Sequence, residues 1–208
     1  MPRTGKFAPI SRRVAARTPS ADVEQAIVDA AEQLLVDEGP DALTVRAIAA
    51  AAGVAPMSVY NHLGGKNGVL DALLIRGFEG LSGAMDGLGS DDPFEDLAEA
   101  GRCYRRFALE HPSHYALMFE RSVPDYEPSL LAMGHARATF KELEVLVQRA
   151  MAAGVIAAGD PAEVAQRLWN TCHGTVSLEL RGIGFCDDPG DNAEATAYSM
   201  LRGLRTDR

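Results

Sequence analysis

Long apolar runs are missing from this chain. No window approaches the ~18 uninterrupted apolar residues of a membrane span, and no apolar signal-peptide core follows the basic N-terminus. These absences predict a protein without a membrane partner or a secretory leader. Cysteine is scarce: Cys103, Cys172 and Cys186 are odd in number and lack metal-ligand spacing. Free thiols in a reducing, cytoplasmic setting are the expectation. No segment reads as a strand, and no internal repeat is present. No Glu has a His three residues later, so a di-iron helical bundle would lack its ligand pairs. His111 and His114 stand at i,i+3 without a third ligand near by. Cys172 and His173 are helical neighbours whose side chains point apart, which rules out a nucleophile–base pair. An enzyme, a metal and a resident cofactor are therefore not expected.

What remains is an ordinary globular composition over 208 residues, 47% hydrophobic and 24% charged, long enough for one large domain or two smaller ones. The net charge of −9 is unevenly placed. Residues 1–66 hold seven Lys/Arg against seven Asp/Glu, whereas residues 67–208 hold 13 against 22. Within residues 1–20, Arg3, Lys6, Arg12, Arg13 and Arg17 occur with no acid. A flexible basic arm is the expectation there, and the split suggests a nucleic-acid-facing end.

Only helices are predicted beyond the arm. The first should run from about Asp22 to Glu38 and stop at Gly39-Pro40. A longer helix starts near Lys66, carries Val69, Leu70, Leu73, Leu74 and Phe78 on one side, and fades through the Gly-rich run from Gly80 to Gly89. Pro93 opens a helix that lasts to about Glu110, and a short one spans Ser113 to Glu120. Residues 121–128 form a connection, and Ser129 to Ala152 a long helix. Asp160 and Glu163 form a capping-box pattern for a helix reaching about Gly182. Asp191 and Glu194 repeat that pattern for a last helix to about Arg205.

Between the first helix and Lys66 lies the most informative segment, Thr44 to Lys66. Thr44 is a good N-cap, and Val45, Ile48 and Ala49 share one helical face. Gly53 suits a tight turn that needs positive φ, Pro56 opens a second short helix, and Val54 and Val59 anchor it. Spacing alone is compatible with an ordinary helical hairpin or with a DNA-docking helix-turn-helix. The residues Gly53-Val54, Val59-Tyr60, His62-Leu63, Gly65-Lys66 and Leu70, with Ile27, Ala30, Ala31, Leu34, Leu35 and Gly39 upstream, resemble the signature of the TetR family of transcriptional repressors. That likeness covers about the first 75 residues. Two departures stand out: Ala55, where many members have Ser or Thr, and Leu63, where many have Phe.

The resemblance implies an all-α protein: an N-terminal three-helix helix-turn-helix domain over 21–66, and an effector-binding and dimerisation domain over 67–208. It implies a homodimer that binds palindromic, double-stranded operator DNA and is released by a small-molecule effector. Control by a protein partner is the alternative. The helix from Pro56 to Leu63 would lie in the major groove and present Pro56, Met57, Ser58 and Asn61 to bases. None of these is basic. Arg46, on the preceding helix, matches an arginine that reads a guanine in the tetracycline repressors; a phosphate contact or a salt bridge with Asp41 or Asp37 competes with that role. Thr44, Tyr60, His62 and Lys66 match family positions that contact phosphates, although a packed Tyr60 ring with a wet hydroxyl is also compatible with the sequence.

The C-terminal part resembles family effector domains more loosely. Trp169, His173 and Gly174, with His111-Pro112, Tyr115, Met118 and Phe119, look like the subset carrying a Trp-His-Gly helix. Candidate pocket residues are Tyr104, Phe107, Tyr115, Met118, Phe119, Met133, Phe140, Trp169 and His173, which could equally be plain core. Small residues Gly174, Ser177, Ala193 and Ala197, with Leu178, Tyr198 and Leu201, are candidates for the dimer seam, or for packing within one chain.

Overall fold

A computed structural model describes residues 20–120 and 123–206. The basic arm, apart from Ser20, lies outside the described residues. The described residues form nine α-helices: α1 (Ser20–Glu38), α2 (Val45–Ala51), α3 (Pro56–Leu63), α4 (Lys66–Ala84), α5 (Pro93–Glu110), α6 (Pro112–Phe119), α7 (Leu130–Ala152), α8 (Pro161–Leu180) and α9 (Pro189–Leu204). The all-α expectation holds. Among the described residues the sole β-type pairing is an isolated bridge between Ile156 and Arg205, which ties the end of α9 to the α7–α8 connection.

The helix ends follow from local chemistry. Thr44 Oγ1 accepts from Ala47 N at 3.2 Å and starts α2. Asp92 accepts from the Phe94 and Glu95 amides and starts α5. Asp160 accepts from the Ala162 and Glu163 amides and starts α8. The last helix departs from expectation. Its cap is Asp188, which accepts from Asp191 N at 3.0 Å, so Asp191 sits inside the first turn. Pro189, placed at the first helical position, tolerates this earlier start because its missing amide would have had no partner.

The first three helices share a core of Ile27, Ala31, Leu35, Leu43, Ile48 and Val59 with Val69, Leu70 and Leu73 from the first half of α4. Each fully buried Val, Leu or Ile there stabilises by roughly 1.5–3 kcal/mol relative to exposure. That core also takes in Leu117 of α6 and Val123 just beyond it. The covalent join through α4 is thus not the only link to the rest of the molecule, because α6 packs directly against the N-terminal helices. Helices α5 and α7–α9 build a second core around Phe94, Leu97, Leu146, Val147, Ile156, Leu168 and Leu201.

Candidate DNA interface and effector cavity

The turn between α2 and α3 is made by Gly53 at φ +66°, a conformation that a Cβ would strain. Val59 is fully buried beneath α3 and fixes its orientation. The opposite face is consequently outward: Pro56, Met57, Tyr60 and Asn61 are exposed, Ser58 and His62 half-buried. Met57, at 64% exposure, and Tyr60, at 53%, are large groups left in solvent on a two-turn helix, which is the pattern of a surface built to be covered. Arg46 is exposed beside them and makes no ion pair among the described residues, so the salt bridge to Asp41 or Asp37 is absent. Thr44 is exposed at the start of α2 and Lys66 half-buried at the start of α4. Ala55 gives α3 no side-chain cap, as its lack of a hydroxyl requires, and Gly65 gives none to α4. Lys66 therefore stands at one of two helix starts, those of α3 and α4, whose amides are not claimed by side-chain caps.

In the second part of the chain, helices α4 to α9 line a cavity of about 560 Å³ that opens to solvent. Its wall is built from Leu74, Phe78 and Leu81 of α4, Leu97 and Tyr104 of α5, Met118 and Phe119 of α6, Met133 and Phe140 of α7, and Trp169 of α8. Of the sequence-derived candidates, Tyr104, Met118, Phe119, Met133, Phe140 and Trp169 line this space. Phe107 and Tyr115 do not. They are packed into the core between α4, α5, α6 and α8, because their helical positions turn them behind the wall. His173 also stands behind the wall, but it is bonded to it. Its Nδ1 lies 2.7 Å from the Tyr115 hydroxyl and 3.0 Å from the Tyr104 hydroxyl, while Trp169 Nε1 donates to Tyr104 Oη at 3.2 Å. The arrangement that leaves fewest hydrogens unused makes Nδ1 the acceptor, which puts the proton on Nε2. Burial holds the His173 pKa below its ordinary value and the Tyr104 pKa far above, so the network is neutral near pH 7. Burial also pushes the Cys172 thiol, on the cavity wall, up to about 11, which favours the protonated thiol near pH 7.

Sequence reasoning missed Leu74, Phe78, Thr139, Gln166 and Arg137 on this wall. Arg137 was findable: it lies four residues after Met133 and three before Phe140, on the same helical face. Among the described residues no group of His, Cys, Asp and Glu is disposed to hold a metal.

The candidate seam residues divide. Ala193 and Leu201 are buried within the chain, and Ala197 lines the cavity, since these positions of α9 face α5 and α8. Gly174, Leu178 and Tyr198 are exposed and Ser177 half-buried. Tyr198 also meets the Phe94 ring edge-on, with centroids 6.0 Å apart.

Comparison with known proteins agrees with this architecture. Residues 27–73 match the family described as bacterial regulatory proteins, tetR family, and residues 97–204 match the tetracyclin repressor-like, C-terminal domain. Together these cover more than half of the chain, which belongs to the TetR family of transcriptional regulators and carries its helix-turn-helix DNA-binding domain. Membership of a regulator family sets the enzyme reading aside. HTH-type transcriptional regulator Rv1816 of Mycobacterium tuberculosis is 29% identical over 114 residues, 53% of this chain; the chain spans about half of that relative's length, 49%. The uncharacterized HTH-type transcriptional regulator Rv0681 of the same organism is 28% identical over 192 residues, 88% of this chain and 79% of the relative. A solved protein of unknown function from Rhodococcus sp. RHA1 superposes with a TM-score of 0.79 at 25% identity, over 94% of this chain and 100% of its own. The TetR family regulator PfmR from Thermus thermophilus shares the fold at a TM-score of 0.65 and 22% identity, covering 86% and 99%.

Proposed function

We propose that the protein is a homodimeric repressor that binds a palindromic operator and leaves it when a small molecule fills the cavity. The observation that carries this reading is the double duty of α4 and α6. Both line the cavity, and both contribute to the core under the DNA-binding helices. A ligand that moves either one moves the platform of α3. Two recognition helices must sit one helical turn of DNA apart, about 34–36 Å, to enter successive major grooves of the same face. A ligand that favours another spacing therefore weakens DNA binding.

On DNA, α3 supplies Pro56, Met57, Ser58 and Asn61 to the bases, with Arg46 alongside. Thr44, Tyr60, His62 and Lys66 hold phosphates, and the uncapped starts of α3 and α4 favour that anionic contact. The dimer forms through the exposed face of α8 and α9 at Gly174, Ser177, Leu178 and Tyr198. Among the described residues no helix is long and apolar enough to cross a membrane, which fits a regulator that meets DNA in the cytoplasm.

Selection from randomised duplex pools tests the first step. A twofold-symmetric site is expected, and recovery of no sequence preference would overturn the reading. Screening apolar small molecules by thermal shift tests the second, because a ligand bound only to the folded state raises the melting temperature by mass action.

A further inference from the structure

We infer that the cavity is built for an apolar carboxylic acid, held as its anion by Arg137; this rests on reading the cavity as the effector site. Among the described residues Arg137 is the one permanently charged side chain on the cavity wall, and no Asp or Glu lines the wall at all. That exclusion is informative, because residues 67–208 carry 22 acids against 13 basic residues. In a domain so acidic, a wall without a carboxylate and with one cation is a selective electrostatic environment.

Arg137 is also available. In the same domain Arg76, Arg102, Arg105, Arg149, Arg167 and Arg181 each hold a carboxylate. Arg137 holds none among the described residues. It is exposed at the rim, next to half-exposed Met133 and with Phe140 one turn further in on the same face of α7. A ligand entering here meets the guanidinium first and the rings of Phe119, Phe140 and Trp169 beyond it. A guanidinium presents two parallel N–H groups that match one carboxylate. The other polar side chains of the wall already have partners: Tyr104 is bonded to Trp169 and His173, the Thr139 and Thr171 hydroxyls donate to backbone carbonyls, and Gln166 Nε2 donates to Asn170. The complementary molecule is thus an apolar body with one anionic head, and the volume is in the range of small-molecule sites.

Three probes of equal length separate the terms: octanoate, 1-octanol and octyltrimethylammonium. Each is titrated into the full chain, followed by calorimetry and by the fluorescence of Trp169. Octanoate is expected to bind about tenfold more tightly than octanol, the worth of a partly exposed charge-assisted pair, and the ammonium most weakly. Added salt should weaken octanoate and leave octanol unchanged. Arg137→Gln should bring octanoate down to the level of octanol, and Arg137→Lys should restore part of the difference. Arg137 is exposed, so neither variant should lower the melting temperature. Equal binding of octanoate and octanol to the native chain, or an octanoate preference that survives Arg137→Gln, would overturn the proposal while leaving the cavity as an effector site. Binding of none of the three would overturn both.

Discussion

His114 on α6 sets its Nε2 3.2 Å from Oε1 of Glu32 on α1. No hydrogen bond forms across this approach, so a buried imidazole nitrogen has no hydrogen-bond partner. Glu32 is held from its other side by Arg76 of α4, which also bonds Asp29 at 2.8 Å. Helices α1, α4 and α6 meet in this one charged cluster. One residue further along, α6 buries Tyr115 beside the cavity network, and Met118 and Phe119 form cavity wall. A short helix of eight residues thus touches the DNA-binding unit with one face and the cavity with another.

The cluster makes a pH prediction. Burial holds the His114 pKa below its ordinary value, an effect opposed by Glu32 and reinforced by His111 and Arg76. A folded-state pKa below the unfolded value of about 6.5 means that the unfolded chain binds more protons between the two values. Stability therefore rises with pH through that window: the penalty is absent above about pH 6.5 and grows as the pH falls. Urea unfolding at pH 7.5 and 5.5 should show the loss at the lower pH. His114→Gln should reduce that loss without abolishing it, because His173 is depressed in the same direction. A variant with the same pH slope as the native chain would show that His114 is not the group responsible.

The sequence pattern was explicit where one residue type does one job. Thr44, Gly53, Pro56 and Val59 announce cap, turn, helix start and anchor, and the structure uses each of them so. The pocket was legible only in part, because a 3.6-residue period tells which residues share a face and not how deep that face lies. Phe107 and Tyr115 share the aromatic pattern of Tyr104 and Phe119 and yet sit behind them. Arg137 does not stand out in that pattern, because a lone cation on a helix face reads in sequence as a solvated surface group. The Glu32–His114 approach joins residues 82 positions apart, which no local pattern encodes. The start of α9 was misplaced because Asp188 and Asp191 are both good caps, and only the chain's path past Pro189 decides between them.

Substitutions on the DNA-facing surface should separate affinity from readout. If Tyr60 and Lys66 hold phosphates as proposed, Tyr60→Phe and Lys66→Ala are expected to weaken all duplexes alike. If Asn61 and Arg46 read bases as proposed, Asn61→Ala and Arg46→Ala should each cost roughly 1–3 kcal/mol of discrimination at one position of the site. Gel-shift titration of the selected site and its single-base variants distinguishes the two patterns. Should Arg46→Ala weaken matched and mismatched sites equally, Arg46 is a phosphate clamp and no reader.

The proposed dimer face offers a cleaner contrast at Gly174. It is exposed on α8, and a Cβ built there meets nothing within 4 Å in the subunit. Within one chain Gly174→Ala should stabilise the helix by about 0.8–1 kcal/mol. A glycine on such a face fits the close approach of a second subunit. Gly174→Leu is therefore expected to leave the helical circular dichroism intact while shifting sedimentation from dimer to monomer. An unchanged sedimentation coefficient would remove Gly174 from the seam.

Trp169 is the only tryptophan in the chain and lines the cavity, so its fluorescence reports occupancy directly. If the cavity controls DNA binding through α4 and α6, the coupling must be reciprocal: operator must weaken the ligand by the same factor by which ligand weakens operator. Couplings of this kind are typically about 1–3 kcal/mol, or roughly 5- to 150-fold. A small molecule that quenches Trp169 should therefore show a right-shifted titration when the protein is saturated with its selected duplex, and an unshifted one with a scrambled duplex. The size of the shift should match the loss of operator affinity measured at saturating ligand. Superimposable titrations with and without operator would mean that the two helices carry packing between the halves of the molecule but no signal.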